Sequence, residues 1–230
     1  MKTLFLALAV MLGSSGTSVM AQTAAPLTVT TGRVVIAVDS LVAPGTGFVA
    51  SVWLLDTTMM LGGFNLHLEY DHNALVFDSA TFGALTKGEW EYLAVRTGKL
   101  TSGDSLAVAS FIRMVGLADQ QDAANRHPSA RSQVGPGEVA RLYFYATDDR
   151  DFRGLTLPLR FRWGKCDDNS FSDKSGHVLL VGQSLVEGDG RAIVAADSTH
   201  AGPREDCFKR RYNAPVRAFD FRNATVRIGE

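Results

Sequence analysis

Cysteine is scarce in this sequence, and so are the residue patterns that commonly carry chemistry. Only two cysteines and five scattered histidines occur among 230 residues. The sequence contains no Gly-x-Ser-x-Gly elbow, no His-Glu-x-x-His motif, no phosphate-binding loop and no dinucleotide fingerprint. We therefore predict a protein that is not an enzyme and that needs no cofactor.

An excess of charge of either sign is also missing, since 23 Lys and Arg residues are balanced by 24 Asp and Glu residues. Binding to a phosphate backbone requires a clustered positive field. The short basic clusters at 160–165 and 209–211 are interpreted as a solvated strand face and a loop. The sequence therefore predicts no nucleic-acid partner.

Long apolar runs are absent after the first residues. The run from Leu4 to Leu12 is too short to span a bilayer, and it follows Lys2 and precedes a small-residue cleavage site at Val19-Met20-Ala21. We predict a signal peptide at residues 1–21, a flexible leader at 22–26 and one domain at 27–230. The protein is expected to be secreted, extracellular or periplasmic, with no membrane span after signal cleavage.

The two cysteines, Cys166 and Cys207, lie in polar segments of a chain predicted to be exported, where thiols are normally oxidised. A bridge between them would stabilise the fold by about 4 kcal/mol in the chain-entropy model. A metal pair would need further Cys or His ligands at short spacing. We therefore predict a structural disulfide.

Alternating apolar and polar residues fill most of the chain after residue 26. In Gly63–Tyr70 the apolar residues occupy every second position, which is the period of a strand with one buried face. Leu155–Trp163 repeats the pattern, with Pro158 indicating an edge or a bulge. Strands are predicted at Leu27–Asp39, Gly47–Leu55, Gly63–Tyr70, Ala74–Thr81, Trp90–Arg96, Ser105–Met114, Glu138–Ala146, Leu155–Trp163, His177–Val181, Ala192–Ala196 and Val216–Ile228.

Helical periodicity is almost lacking. Only Leu117–Arg126 is rich in helix formers, and it stops just before His127-Pro128, so one short surface helix is predicted there. Short strands separated by turn residues are typical of a β-sandwich. The predicted fold is therefore an all-β, two-sheet sandwich.

The segment from Gly62 to Leu75, GGFNLHLEYDHNAL, resembles the signature of cohesin domains. Val34–Val52 with its Pro44-Gly45 turn, Gly137–Phe144 and Phe219–Ile228 resemble the opening, later and closing strands of the same family. This resemblance to the cohesin and cellulose-binding-module superfamily implies a jelly roll of about nine strands, an extracellular location and a function exerted by binding.

Cohesins bind dockerin modules through one sheet face, and the resemblance places polar contact residues on the Gly63–Tyr70 strand. The family's contact Asp corresponds to Asn65 and its contact Asn to Gly63. We predict Asn65, His67 and Glu69 as binding residues. The predicted function is a secreted, non-catalytic module that recognises a dockerin-like protein module or a polysaccharide, in extracellular polysaccharide binding or breakdown.

Four alternatives remain open from the residues. Trp90 and Tyr92 share one face of a predicted strand and could stack on sugar rings. Glu89 and Glu91 flank Trp90 and could act as the carboxylate pair of a glycan hydrolase. Oxygen donors near Asp167, Asp168 and Asp173 leave structural calcium as an alternative to an Asx-rich turn pinned by the disulfide. A purely structural surface protein is the third functional class.

Overall fold

Residues 32–57, 59–87, 90–100, 109–118, 133–186, 202–209 and 214–230 are described by the structure, which is a computed structural model. The predicted signal peptide and leader lie outside the described residues. Glu89, the strand predicted at Ala192–Ala196 and nearly all of the predicted helix also lie outside them.

Almost every described segment is a β-strand. The strands are β1 Gly32–Val38, β2 Leu41–Val42, β3 Gly47–Leu55, β4 Met60–Asp71, β5 Leu75–Phe82, β6 Tyr92–Lys99, β7 Ala109–Leu117, β8 Gln133–Val134, β9 Gly137–Ala146, β10 Thr156–Phe161, β11 Ser170–Asp173, β12 Leu179–Val186, β13 Val216–Arg222 and β14 Ala224–Ile228. Short 3₁₀ turns occupy Arg150–Phe152 and Glu205–Lys209. The predicted all-β fold is confirmed, although the described residues contain more strands than the nine expected.

The strands form two layers that are joined along one side. In the first layer the order is β5-β9-β3-β1-β13, with β1 and β13 parallel. The second layer centres on β4, which pairs with β7 and then β6 on one edge and with β10 and β11 on the other. Strand β12 connects β11 to β13, and β14 pairs with β10 and β2.

The core lies between these layers because the alternating apolar side chains of both point inward. Tyr70 of β4 meets Phe144 of β9 edge to face, with ring centroids 5.4 Å apart, although the two strands share no hydrogen bonds. Each large side chain buried here is worth about 1.5–3 kcal/mol. The largest fully buried side chains are Phe144, Phe161, Phe171, Phe219, Phe221, Leu54, Leu61, Leu66, Leu75, Ile112, Met114 and Leu142.

Strand β10 shows the inward and outward faces expected from its sequence. Leu157, Leu159 and Phe161 are buried, whereas Leu155 is 46% exposed and precedes the strand. Within β10, only Arg160 and Phe161 pair with β4. Pro158, which has no N–H to donate, therefore lies beyond the end of that ladder.

The closing segment, predicted as one strand, is two strands separated by Asn223. The Asn223 Oδ1 accepts a hydrogen bond from the Phe161 N–H at 2.9 Å. Strand β13 before it pairs with β1 and β12, and β14 after it pairs with β10. The buried amide thus marks the point where the chain crosses from one set of partners to the other.

The segment 170–173, predicted as part of a polar loop, is strand β11. Phe171 is 1% exposed and its ring packs between Phe64 and Phe219. Phe171 thus gives this short polar segment an inward-facing aromatic side chain beside β4.

Candidate binding surface

The outer face of the β6–β7–β4 layer carries the strand predicted to bind. Hydrogen-bonded register aligns its side chains in three rows across the strands: Gly63, Leu117 and Tyr92; Asn65, Val115 and Ala94; His67, Arg113 and Arg96. Neighbouring strands lie about 4.8 Å apart, so the side chains within a row are in contact range. The face is therefore apolar at one end and polar at the other.

A groove of about 420 Å³ crosses these rows. Its lining combines aromatic, aliphatic and charged side chains: Asn65, Tyr92, Ala94, Arg96, Arg113, Val115 and Asp167. The sheet backbone beneath is hydrogen-bonded on both edges of β7. The groove is thus built on a fixed framework.

A loop at 164–169 closes the polar end of this face, and Asp168 is its anchor. The Asp168 Oδ2 accepts hydrogen bonds from the Gly164 and Lys165 N–H groups at 2.9 and 2.8 Å, and it lies 3.3 Å from the His67 Nδ1. The Asp168 Oδ1 lies 3.1 Å from the Arg113 guanidinium. Burial acts to raise the pKa of Asp168, but the hydrogen bonds from His67 and the two amides outweigh it and hold that pKa below its usual value.

Two asparagines tie the same loop to β4. The Asn65 Nδ2 donates to the Asp167 carbonyl at 2.8 Å, and the Asn65 Oδ1 accepts from the Arg113 Nε at 3.0 Å. The Asn169 Oδ1 accepts from the His67 N–H at 2.7 Å. These contacts show that the loop is docked on the strand by specific hydrogen bonds.

The predicted disulfide is confirmed, and it joins this loop to a segment later in the chain. Cys166 is bonded to Cys207, with Cα atoms 5.4 Å apart and a sequence separation of 41. Cys207 belongs to the 3₁₀ turn Glu205–Lys209. The predicted Asx-rich turn pinned by a disulfide is therefore present, directly before β11.

The expectation of an open polar strand face is corrected by this loop. Asn65, His67 and Glu69 do point to the outer face, as alternation predicted. However, the His67 side chain is only 12% exposed beneath Asp168, and the Glu69 side chain is 17% exposed and paired with Arg162 at 2.7 Å. Asn65 lines the groove, while His67 and Glu69 are largely covered by the chain itself.

The expected aromatic platform of Trp90 and Tyr92 is also corrected. Trp90 precedes β6 and is 6% exposed, with its ring stacked on Phe64 at 5.4 Å. The Trp90 backbone N–H donates to the Thr86 carbonyl at 3.0 Å, before the strand begins. Tyr92 alone remains on the surface, at 53% exposure.

Residues that sequence reasoning missed complete the face. Leu117 was assigned to a helix because helix formers follow it, yet it ends β7 and is 48% exposed beside Tyr92. Arg113 was not singled out, although its position among the alternating residues of β7 places it on the outer face. The contribution of Arg113 depends on Asn65 and Asp168, which are distant in sequence, so no local pattern indicated it.

The carboxylates considered for chemistry do not assemble in the described part of the chain. Glu91 is exposed, and its N–H donates to the Leu117 carbonyl at 3.2 Å. Asp173 accepts hydrogen bonds from Ser175 and Val178. Among the described residues, no three His, Cys, Asp or Glu side chains are grouped closely enough to hold a metal ion.

Solved structures that are similar to this chain include the following three, all at low identity. A chain of the crystal structure of the CaDoc0917–CaCohA2 complex has a TM-score of 0.47 and 10% identity, covering 85% of this chain and 99% of its own. The cohesin module of a Clostridium perfringens family 33 glycoside hydrolase has a TM-score of 0.42 and 12% identity, with 87% and 98% covered. CaCohA2 of Clostridium acetobutylicum, in solution, has a TM-score of 0.38 and 13% identity, with 85% and 91% covered.

No family model and no curated protein matches the chain. Within the described residues, no helix is both long enough and apolar enough to cross a membrane.

Proposed function

We propose that the chain is a secreted, non-catalytic module that binds a protein partner through the outer face of the β6–β7–β4 layer. The observation that carries this proposal is the pair Tyr92 and Leu117, which are cross-strand neighbours and are 53% and 48% exposed. The next row, Ala94 and Val115, continues the apolar surface into the groove. Arg96 and Arg113 border the groove. We call this surface the Tyr92–Leu117 face.

The composition of the Tyr92–Leu117 face is typical of protein interfaces. Their centres are apolar and enriched in Tyr and Arg, and their rims are polar. Complete burial of a large apolar side chain contributes about 1.5–3 kcal/mol. Because the strands are already fixed by pairing, little conformational entropy is lost when a partner binds.

The cohesin resemblance supports a dockerin-like module as the partner, with a change in the chemistry of contact. A Cβ built at Gly63 would lie 3.0 Å from the Leu117 Cδ2, so glycine leaves room for the Leu117 side chain. Asn65 has an amide where the family has a carboxylate, and this amide is hydrogen-bonded to Arg113 and Asp167. We therefore propose that apolar contact at Leu117 replaces polar contacts of the usual dockerin site.

Export and a place in polysaccharide binding or breakdown assemblies are parts of the same proposal. The Cys166–Cys207 disulfide supports an oxidising compartment, because such bonds are rarely maintained in the cytosol. The segment at 1–21 has the composition of a signal peptide.

A binding experiment with matched variants tests the proposal. The mature protein is titrated by calorimetry against purified dockerin modules from the exported proteins of the producing cell. Leu117→Glu places a charge at the centre of the Tyr92–Leu117 face and should weaken binding by about thirtyfold or more, as at an interface hot spot. Thr81→Glu, at an exposed position on β5 of the opposite layer, is the control and should bind as the wild type does. Equal affinity of both variants would reject this face.

No finding favours the hydrolase alternative, and its test is separate. Release of sugars from a glycan panel, abolished by Glu91→Gln, would establish it. A purely structural protein would bind neither dockerin modules nor glycans.

A further inference from the structure

We propose that the opposite layer carries a second binding surface, formed by Trp53, Tyr143 and Tyr145, that binds a neutral polysaccharide chain. These three residues are called the aromatic strip. They lie on the outer face of the β5-β9-β3-β1-β13 layer, on strands β3 and β9. This inference is independent of the protein-binding proposal, which concerns the other layer.

The strip runs along the strands as an extended track. Tyr145 lies opposite Gly47, Tyr143 opposite Val49, and Trp53 opposite Glu138. Alternate side chains of one strand stand about 7 Å apart, so the register from residue 47 to 53 spans about 20 Å. Such a track is too long and too flat for a small molecule, which binds in a concave pocket, and it suits a polymer.

The aromatic ring of Tyr145 packs against Gly47 and is still partly exposed. A Cβ built at Gly47 would lie 3.3 and 3.6 Å from two carbons of the Tyr145 ring, so the ring lies directly over that glycine. Tyr145 is nevertheless 53% exposed, and Trp53 is 37% exposed. Val49 and Val76, at 42% and 57% exposure, flank Tyr143 and Tyr145.

The charges along the strip compensate each other. Arg141 lies between Tyr143 and Trp53, and its Nε donates to both oxygens of Glu138 at 2.9 and 2.8 Å. Ser51 also donates to Glu138, at 2.6 Å. Although burial acts to raise the pKa of Glu138, the hydrogen bonds from Arg141 and Ser51 lower it, so the carboxylate remains charged and the pair stays intact.

A neutral, polyhydroxylated polymer fits this combination. The C–H groups on the flat side of a sugar ring carry partial positive charge and meet the negative face of an aromatic ring. The tyrosine hydroxyls, the indole N–H and the Arg141 guanidinium can bond to sugar hydroxyls. A polyanion or a charged peptide would find no net charge to pair with between the rings, which favours a neutral glycan.

Two measurements on the mature protein test the aromatic strip. In native affinity electrophoresis, gels contain hydroxyethyl cellulose, xylan or galactomannan. In fluorescence titration, the ligands are cellohexaose, xylohexaose and mannohexaose. The chain has three tryptophans, and Trp90 and Trp163 are 6% and 3% exposed, so a shift on binding reports Trp53.

We expect at least one of these glycans to retard the protein and to shift the tryptophan emission to shorter wavelength. Trp53→Ala and Tyr145→Ala should each raise the dissociation constant obtained from the retardation by about tenfold or more, equivalent to about 1.4 kcal/mol. Tyr145→Ala keeps the Trp53 reporter, so it serves as the readout if Trp53→Ala does not fold. Thr225→Ala, at an exposed position on β14 outside both proposed surfaces, should bind as the wild type does.

Two outcomes would overturn the inference. One is the absence of retardation by all three polymers. This outcome counts against the inference even if the strip is found to bind an exported protein and Trp53→Ala abolishes that binding. The other is retardation that persists unchanged in Trp53→Ala and Tyr145→Ala. Either result is distinguishable from failure of the Tyr92–Leu117 face, because that face is tested by Leu117→Glu.

Discussion

The side-chain oxygen of Asn223 and the backbone N–H of Phe161 form a buried hydrogen bond of 2.9 Å between the closing segment and β10. The two residues are 62 positions apart in sequence. Asn223 separates β13, which pairs with β1, from β14, which pairs with β10. One polar side chain therefore holds the crossing between the two sets of strands.

Replacing Asn223 by Ala should lower the free energy of unfolding by about 1–3 kcal/mol, because the Phe161 N–H would remain buried without its acceptor. Urea denaturation followed by circular dichroism measures the change. Thr225→Ala, at an exposed position two residues later, is the control and should change stability by about 0.5 kcal/mol or less. A similar loss in both variants would argue against a specific role for the Asn223 amide.

Gly116→Ala should destabilise the β7–β4 pair. A Cβ at this position would lie 2.3 Å from the Phe64 ring, which is itself packed against Trp90. Overpacking of this kind costs about 1–3 kcal/mol, measurable as a lower thermal midpoint. Gly164→Ala has its nearest neighbour at 3.5 Å and should be tolerated. Wild-type stability of Gly116→Ala would show that Phe64 can move aside.

Asp168→Asn should reduce stability at neutral pH and less so in acid. The folded-state pKa of Asp168 is lowered, so its contribution is present above the unfolded-state value near about 3.9 and is lost as the pH falls through the folded-state value. The wild type and the variant should therefore differ by a constant amount above about pH 5 and converge only as the pH falls from about 4 through the folded-state value. Thermal unfolding measured from neutral pH to well below about pH 4 tests the prediction. A difference independent of pH would contradict it.

Removal of the Cys166–Cys207 bond should destabilise the fold by about 4 kcal/mol in the chain-entropy model for a 41-residue separation. The double variant Cys166→Ser and Cys207→Ser is compared with the wild type, each with and without reductant. Reductant should affect only the wild type. Hydrogen exchange at residues 164–169 should increase in the variant, because this loop is anchored beside Cys166. Unchanged exchange would show that Asp168 holds the loop alone.

The sandwich could be predicted because its signal is local. In β4 every second residue is apolar, and Leu66 and Leu68 are buried where the alternation places them. The strand at 170–173 could not be predicted in the same way. Its neighbours are polar, and its pairing with β4 joins segments about a hundred positions apart, as the 102-residue separation of His67 and Asn169 shows.

The binding surfaces were harder to predict than the fold. Exposure of Asn65 and His67 depends on a distant loop, and Trp90 turns inward two residues before its strand begins. Leu142, Tyr143, Phe144 and Tyr145 are apolar or aromatic at successive positions, a pattern also expected of a strand buried on both faces. Nothing in the local sequence shows that the face of Tyr143 and Tyr145 is the solvent side.

The two layers of the sandwich turn their outer faces away from each other, about 10 Å apart through the core. A rigid protein partner at Leu117 and a glycan at Trp53 would consequently not collide. Binding of the module to an insoluble glycan would then raise the local concentration of the protein partner bound to the opposite layer.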